Sequence, residues 1–395
     1  MWIQLRFLQV TLPITLALIA SSISFLVLTQ TLTGTKVGLG YWHTSGAQIL
    51  DVHNQPVRIA GISWFGFETP EFVVHGLGIR NYKSMLDQIR SLHYNTLRLP
   101  YSNQLFAPTS QPHGINYHKN PDLVGLSGLQ LLDKIIDYAS QIGLRIILDR
   151  HRLGADAQSP LWYTPAYPES RWIADWQMLA THYKGNSMVI GADLHNEPNN
   201  LACWGCGDPT KDWQLAATRA GNAILAINPH WLIFVQGVEC YRADATQSPD
   251  CYWWGGNLKG VRSAPINFDV PHQLVYSVHD YAPSISQYPQ RWFQGENFSA
   301  NLPHFWDTHW GYIYKENIAP IWVGEFGSRL QTEADQKWFM SLINYLGDGV
   351  NGIHWTIWCW NPDSGDTGGI LNDDWATVNQ AKQNYLTPIQ FRLEK

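Results

Sequence analysis

The chain has 395 residues, 45% hydrophobic and only 15% charged, so it can bury a large core in one or two domains. Its 26 basic and 32 acidic residues give a net charge of −6 with no basic stripe, which argues against nucleic acid, whose phosphates demand clustered Lys and Arg. Core packing accounts for about half of the 20 tryptophans; the rest exceed what a core usually needs and suggest exposed indoles on which sugar rings could stack.

Residues 1–35 read as targeting sequence rather than fold. Arg6 precedes a charge-free stretch from Phe7 to Thr35, apolar mainly between Phe7 and Leu28. That length is long for a signal-peptide core and near that of a membrane span. Small residues at Ala20, Ser21 and Ser22 offer a cleavage site. Two readings stand: a cleaved signal peptide, which is favoured, or an N-terminal anchor tethering the protein through residues 7–28. Both export the globular part, giving a secreted protein or a membrane-anchored one on the exported face.

After a connector to about Leu39, YWHTSGAQILDVHNQPVRIAG reads as a β-hairpin. Buried-strand runs then follow: RIAGISWFGF, NTLRLPY, LRIILDRH, VIGADLHNEP, LIFVQG, LVYSVHDY, IWVGEFG and GIHWTIWCWN. Between them lie stretches with apolar positions at helical spacing, such as YKSMLDQIRSLH and LQLLDKIIDYASQIG. Eight strands alternating with helices predict a parallel sheet closed into a (β/α)8 TIM barrel. An open doubly wound sheet is the alternative, but no Gly-rich nucleotide loop follows the first strand. No Pro/Ser/Thr-rich linker breaks the chain after the leader, so residues 40–395 are expected to form one catalytic domain.

Five cysteines fit an exported protein. Sequence proximity pairs Cys203 with Cys206, and Cys240 with Cys251, leaving Cys359 in an apolar strand as a free thiol. Zinc held by four thiolates is the weaker rival, because the second pair lacks close ligand spacing.

The strand ends carry the chemistry. HNEP at 195–198 and GEFG at 324–327 each close a hydrophobic run, placing Glu197 and Glu325 about 130 residues apart at the mouths of two strands. Two-carboxylate glycosidases keep their catalytic pair in such positions. The other strand ends offer Arg98, His151, Asn196, His279, Tyr281 and Trp358. Each alone could be a satisfied cap; polar groups gathered at one barrel end need a further reason. Glycoside cleavage needs an anion beside the anomeric carbon and a proton for the leaving oxygen, so the two carboxyl groups must differ in pKa.

RLP, DRH, HNEP, HDY, GEFG and a late strand-eight Trp together resemble glycoside hydrolase family 5. The longer motifs GYWHTSGAQILD, WFGFET, ACWGCGDP, YWWGGNL and WNPDSGDTGGIL are similar to its bacterial endo-β-1,4-glucanase branch. The resemblance runs from about Gly40 to Pro388. It implies a retaining cellulase with Glu197 as acid/base and Glu325 as nucleophile, acting on β-glucan; a β-mannanase or other β-glycanase on the same scaffold is the alternative, and a non-catalytic secreted glycan-binding protein, which would have lost one of the two carboxylates, is the least favoured reading. It also implies that Arg98, His151, Asn196, His279, Tyr281 and Trp358 surround the scissile bond. Trp64, Trp204 and Trp254 are stacking candidates beside it, with plain packing as the rival for each. Gln236 departs from the pattern, which implies a carboxylate there. Pro70 stands where relatives often carry a cysteine, which suggests one missing disulfide. No serine-hydrolase elbow, zinc-protease motif or P-loop is present. The loop holding Asp363, Asp366, Asp373 and Asp374 lacks calcium-loop spacing. No metal, cofactor or obligate protein partner is therefore expected, and the protein is expected to be a monomer.

Overall fold

Three short antiparallel strands open the computed structural model, which describes residues 37–244, 246–286 and 290–393. The leader and its two readings lie outside the described residues. The opening strands are β1 (His43–Ser45), β2 (Gln48–Leu50) and β3 (Pro56–Val57), paired in that order. Thus the expected hairpin gains a third strand.

Eight parallel strands then close on themselves: β4 (Ala60–Ser63), β5 (Thr96–Ser102), β6 (Arg145–Arg152), β7 (Val189–Asp193), β8 (Leu232–Gln236), β11 (Leu274–Tyr281), β12 (Ile321–Gly327) and β13 (His354–Ile357). Strand β11 pairs with both β8 and β12, which completes the ring. The fold is the expected (β/α)8 barrel. Between β8 and β11 a two-stranded ribbon, β9 (Cys240–Tyr241) with β10 (Asp250–Cys251), and a 3₁₀ turn at Lys259–Arg262 replace a regular helix.

Period-2 alternation sorts the strand residues into two cores. Ile147, Leu232, Phe234, Val275 and Trp322 point inward, where Trp42, Ile49 and Val57 from the opening strands meet them. The opening strands therefore plug one end of the barrel. Ile146, Leu148, Ile233, Val235, Tyr276 and Val278 point outward to the helices. These are α1 (Tyr82–Ser91), α2 (Gly128–Gln141), α3 (Glu169–His182), α4 (Trp213–Leu225), α5 (Phe298–Trp306), α6 (Tyr312–Lys315), α7 (Glu333–Leu346) and α8 (Gln380–Leu386). Local signals set their starts: Ser127 and Gln130 form a reciprocal capping box on α2, and Asn81 accepts from two backbone N–H groups of α1. No helix among the described residues is long and apolar enough to cross a membrane.

Both expected disulfides are formed, Cys203–Cys206 and Cys240–Cys251, which removes the four-thiolate zinc reading. Cys359 is buried and free.

Candidate active site

The inward alternation that fills the barrel with apolar side chains turns polar at the strand ends. On β5 it delivers Arg98, on β6 Asp149, on β8 Gln236, and on β11 Ser277 and His279; all five are buried. Arg98 is the hub. Its Nη1 donates to Glu325 Oε1 at 2.5 Å, its Nε and Nη2 donate to Asp193 Oδ2 at 3.1 and 3.0 Å, and Nη2 donates to Asn196 Oδ1 at 3.1 Å. Nη2 also lies 3.0 Å from Asp149 Oδ2. Burial disfavours the guanidinium charge, but Asp149, Glu325 and Asp193 outweigh it and hold Arg98 firmly protonated. The acids answer in kind. Burial pushes Asp149 up to about 7 and Asp193 up to about 6, with Arg98 opposing each rise.

Glu325 sits inside β12 with both oxygens engaged: Oε1 accepts from Arg98, and Oε2 accepts from the Tyr281 hydroxyl at 2.6 Å. Glu197 is placed differently. Strand β7 ends at Asp193, and the chain continues irregularly, with Leu194 N–H donating to Phe234 O at 3.2 Å and Asn196 N–H to Arg150 O at 3.1 Å. Glu197 therefore lies on a loop just past the strand, at a left-handed φ of 54°. Its side chain is 12% exposed. Burial pushes its carboxyl up to about 8, although Arg98 and a hydrogen bond from Gln158 pull the other way.

His279 stands between the two glutamates, with Nδ1 at 2.8 Å from Glu197 Oε1 and 3.4 Å from Glu325 Oε2. Ligand-type oxygens of Glu197 and Glu325 approach within 4.8 Å of each other. Burial lowers both His279 and His151 to about 4, so both imidazoles are neutral near pH 7. His151 Nδ1 lies 2.7 Å from Asp149 Oδ2, and Asn196 Nδ2 lies 3.4 Å from His151 Nε2.

A cleft of about 970 Å³ opens above this cluster, within the range of small-ligand sites. Its lining includes Glu197, Glu325, His151, Tyr281 and Trp358. Phe65, Trp358 and His151 stack in a row, at centroid separations of 5.5 and 5.3 Å and with interplanar angles of 10°. Trp254, 45% exposed, and Trp253 line the same cleft.

Two of the stacking candidates are corrected. Trp64 is fully buried, with its indole N–H donating to His75 O at 3.0 Å, so it offers no face to the cleft. Phe65, its neighbour, lines the cleft instead. Trp204 is 3% exposed; its indole donates to Ala264 O at 2.8 Å and packs on Gly260. Both tryptophans are core. Sequence reading missed Phe65, Trp253, Asp149, Asp193, Gln158, Glu68 and Glu239, although Asp149 and Asp193 stand within the quoted DRH and DLHNEP motifs.

Two triads bring metal-ligand atom types within 4.8 Å of one another: Asp149–His151–Glu325 and Glu197–His279–Glu325. Both share Glu325, whose Oε1 already faces the Arg98 guanidinium, so a cation there would meet a fixed positive charge. In the aspartate loop, Asp363 pairs with His75 at 2.8 Å, Asp366 accepts from Ser364 and Thr367, and Asp374 accepts from Ala376 and Thr377.

Two carboxyl groups at such close quarters on the strand ends of a (β/α)8 barrel define the class of two-carboxylate glycoside hydrolases. A sequence model described as cellulase (glycosyl hydrolase family 5) matches residues 50–364. An endoglucanase of Paenibacillus polymyxa is 54% identical over 349 residues, covering 88% of this chain and 86% of that protein. The major extracellular endoglucanase of Xanthomonas campestris pv. campestris is 38% identical over 355 residues, covering 88% of this chain and 70% of its own length. The crystal structure of an endocellulase from Pyrococcus horikoshii in complex with cellotetraose superposes with a TM-score of 0.82 at 40% identity, over 90% of this chain and 100% of that one. The chain belongs to glycosyl hydrolase family 5, the cellulase family.

Proposed function

We propose that the protein is an endo-acting β-1,4-glucanase that cleaves by double displacement with net retention. The observation that carries this is the Glu197–Glu325 pair, whose oxygens come within 4.8 Å while their surroundings differ. Retaining enzymes hold their carboxyl groups roughly 5–5.5 Å apart and inverting ones roughly 6.5–9.5 Å to admit a water; an oxygen of each glutamate within 4.8 Å of the other supports the first. Glu325, oriented by Arg98 and Tyr281, attacks the anomeric carbon. Glu197, whose raised pKa keeps it protonated near neutrality, gives its proton to the leaving oxygen. The resulting glycosyl–Glu325 ester is then hydrolysed by a water that Glu197, now a carboxylate, deprotonates. Asn196 keeps its amide nitrogen as a donor because its oxygen faces Arg98, and it hydrogen-bonds the hydroxyl next to the reacting carbon. Trp358, which packs against Phe65 and His151 and lines the cleft, floors that subsite, and Trp254 extends the stacking surface. The reading assigns no metal or organic cofactor, since side chains supply the protons and the charge.

Cellulose-type β-glucan as substrate is supported by the names of the relatives and by the cellotetraose complex of one of them. The extracellular relative supports export, with residues 1–35 as the leader and residues 40–395 as one catalytic domain. Reducing-sugar release from carboxymethylcellulose, barley β-glucan, glucomannan, xylan and laminarin tests the substrate. Turnover highest on mannan or xylan would overturn it. Proton NMR of the first-formed anomer tests retention independently.

A further inference from the structure

Gln236 ends strand β8, is fully buried and uses both ends of its amide. Its Oε1 accepts the backbone N–H of Glu197 at 2.8 Å, and its Nε2 donates to both oxygens of Asp193 at 3.0 Å. Asp193 in turn accepts from Arg98, and Arg98 donates to Glu325. Gln236 thus links the backbone of one glutamate to the cation that holds the other. It also sits where the chain is under strain. Glu197 holds φ at 54°, a left-handed conformation that a residue with a side chain keeps only when its surroundings fix it. The neighbouring loop packs flat on this junction: a Cβ added at Gly255 would lie 2.6 Å from Gln236 Oε1 and 3.3 Å from Glu197 Cα.

We infer that Gln236 is a positioning residue for proton transfer, fixing the left-handed turn that aims the Glu197 carboxyl at the leaving oxygen; this rests on the acid/base reading of Glu197. The essential bond is the one from Glu197 N–H to the side-chain oxygen. A glutamate at 236 preserves that acceptor, though its second oxygen would face Asp193 and require a shared proton. A leucine preserves the approximate volume and removes both ends of the link.

Leaving groups separate this from plain structural support. An aryl cellobioside with a highly acidic phenol departs without protonation, whereas one with a weakly acidic phenol needs the acid. In Gln236→Leu, kcat/KM for the weakly acidic phenol should fall about 30-fold or more, and for the highly acidic phenol less than about 3-fold, because general-acid catalysis acts only on the first. Gln236→Glu should restore the wild-type ratio between the two substrates, whatever its absolute rate. If Gln236→Leu does not fold, by circular dichroism and thermal melting, Gln236→Met, which keeps the length of the side chain and loses both hydrogen bonds, should show the same selective loss. Equal losses on both substrates would overturn the inference. Glu197→Ala is run alongside. If it also shows no leaving-group dependence, the acid/base reading of Glu197 fails instead.

Discussion

Two glutamates of one chemistry end in different settings because the chain delivers them differently. Glu325 lies within a strand and meets Arg98 and Tyr281, whereas Glu197 lies on a strained turn whose burial raises its carboxyl to about 8. Activity that needs protonated Glu197 should therefore be present below pH 8 and lost as pH rises through about 8. A kcat/KM profile on a soluble cello-oligosaccharide checks this, and Glu197→Gln should abolish the alkaline limb along with most of the rate. The two roles also separate by rescue. Glu325→Ala should lose turnover on every glycoside, and azide should partly restore it by giving a glycosyl azide of inverted configuration. Glu197→Ala should slow natural substrates by about 10²–10⁴-fold, still react with activated aryl cellobiosides, and give a retained azide product. Opposite products from the two variants would reverse the assignment. At this scale the sequence is most readable where a residue type has few reasons to sit at a strand end. It is least readable for aromatics. Trp64 and Phe65 are adjacent, and side chains one residue apart along extended chain face opposite ways, so composition alone could not say which reaches the cleft.

Two strands are legible to the residue: LVYSVHDY and IWVGEFG coincide with β11 and β12. The runs VIGADLHNEP and GIHWTIWCWN overshoot β7 and β13, because their last residues stay buried in loops that fold back over the barrel mouth. Hydrophobic runs report burial, and burial outlasts the hydrogen-bond ladder here. What no run could reveal is how the outer elements are tied to β11. Asp280, buried one residue from His279, accepts from the Tyr252 hydroxyl, from Trp306 Nε1 of α5 at 2.6 Å and from Trp338 Nε1 of α7 at 2.7 Å. Burial raises its carboxyl to about 7 against the three donors. Since the folded value exceeds the unfolded one, the stability linked to this group is full below about pH 4 and lost as pH rises through about 7. Asp280→Asn turns an amide N–H toward a buried donor and should cost roughly 1–3 kcal/mol. It should also remove that part of the pH dependence. Urea midpoints measured at several pH values for both proteins check both effects; a constant difference between pH 4 and pH 8 would refute the linkage.

The whole molecule is acidic, with a net charge of −6, and its cleft concentrates that sign. Glu68, Glu239, Asp363 and Asp366 line it, against Arg152 at the same surface; of the catalytic pair, Glu197 is held protonated and Glu325 faces Arg98. Arg98 lies beneath, already shared among three carboxylates. Asp363 is partly answered by His75, but Asp366 is exposed and bonded only to neutral groups among the described contacts. Barrel closure explains why these acids converge: Glu68 follows β4, Glu239 follows β8, and Asp363 and Asp366 share the loop after β13, three segments more than a hundred residues apart that the ring brings to one mouth. A cleft of one sign with low-dielectric walls focuses its potential outward, repelling like-charged polymers before they dock. Carboxymethylcellulose carries that charge, and cellohexaose carries none. Raising ionic strength from about 10 to 150 mM shortens the screening length from about 30 to 8 Å, so KM for carboxymethylcellulose should fall by a few-fold. kcat on that substrate, and both constants for cellohexaose, should stay nearly flat over the same range. The double variant Asp363→Asn, Asp366→Asn should lower KM for carboxymethylcellulose at low salt and flatten its salt dependence. Equal salt slopes for the charged and neutral substrates would show that the repulsion does not reach the docking step.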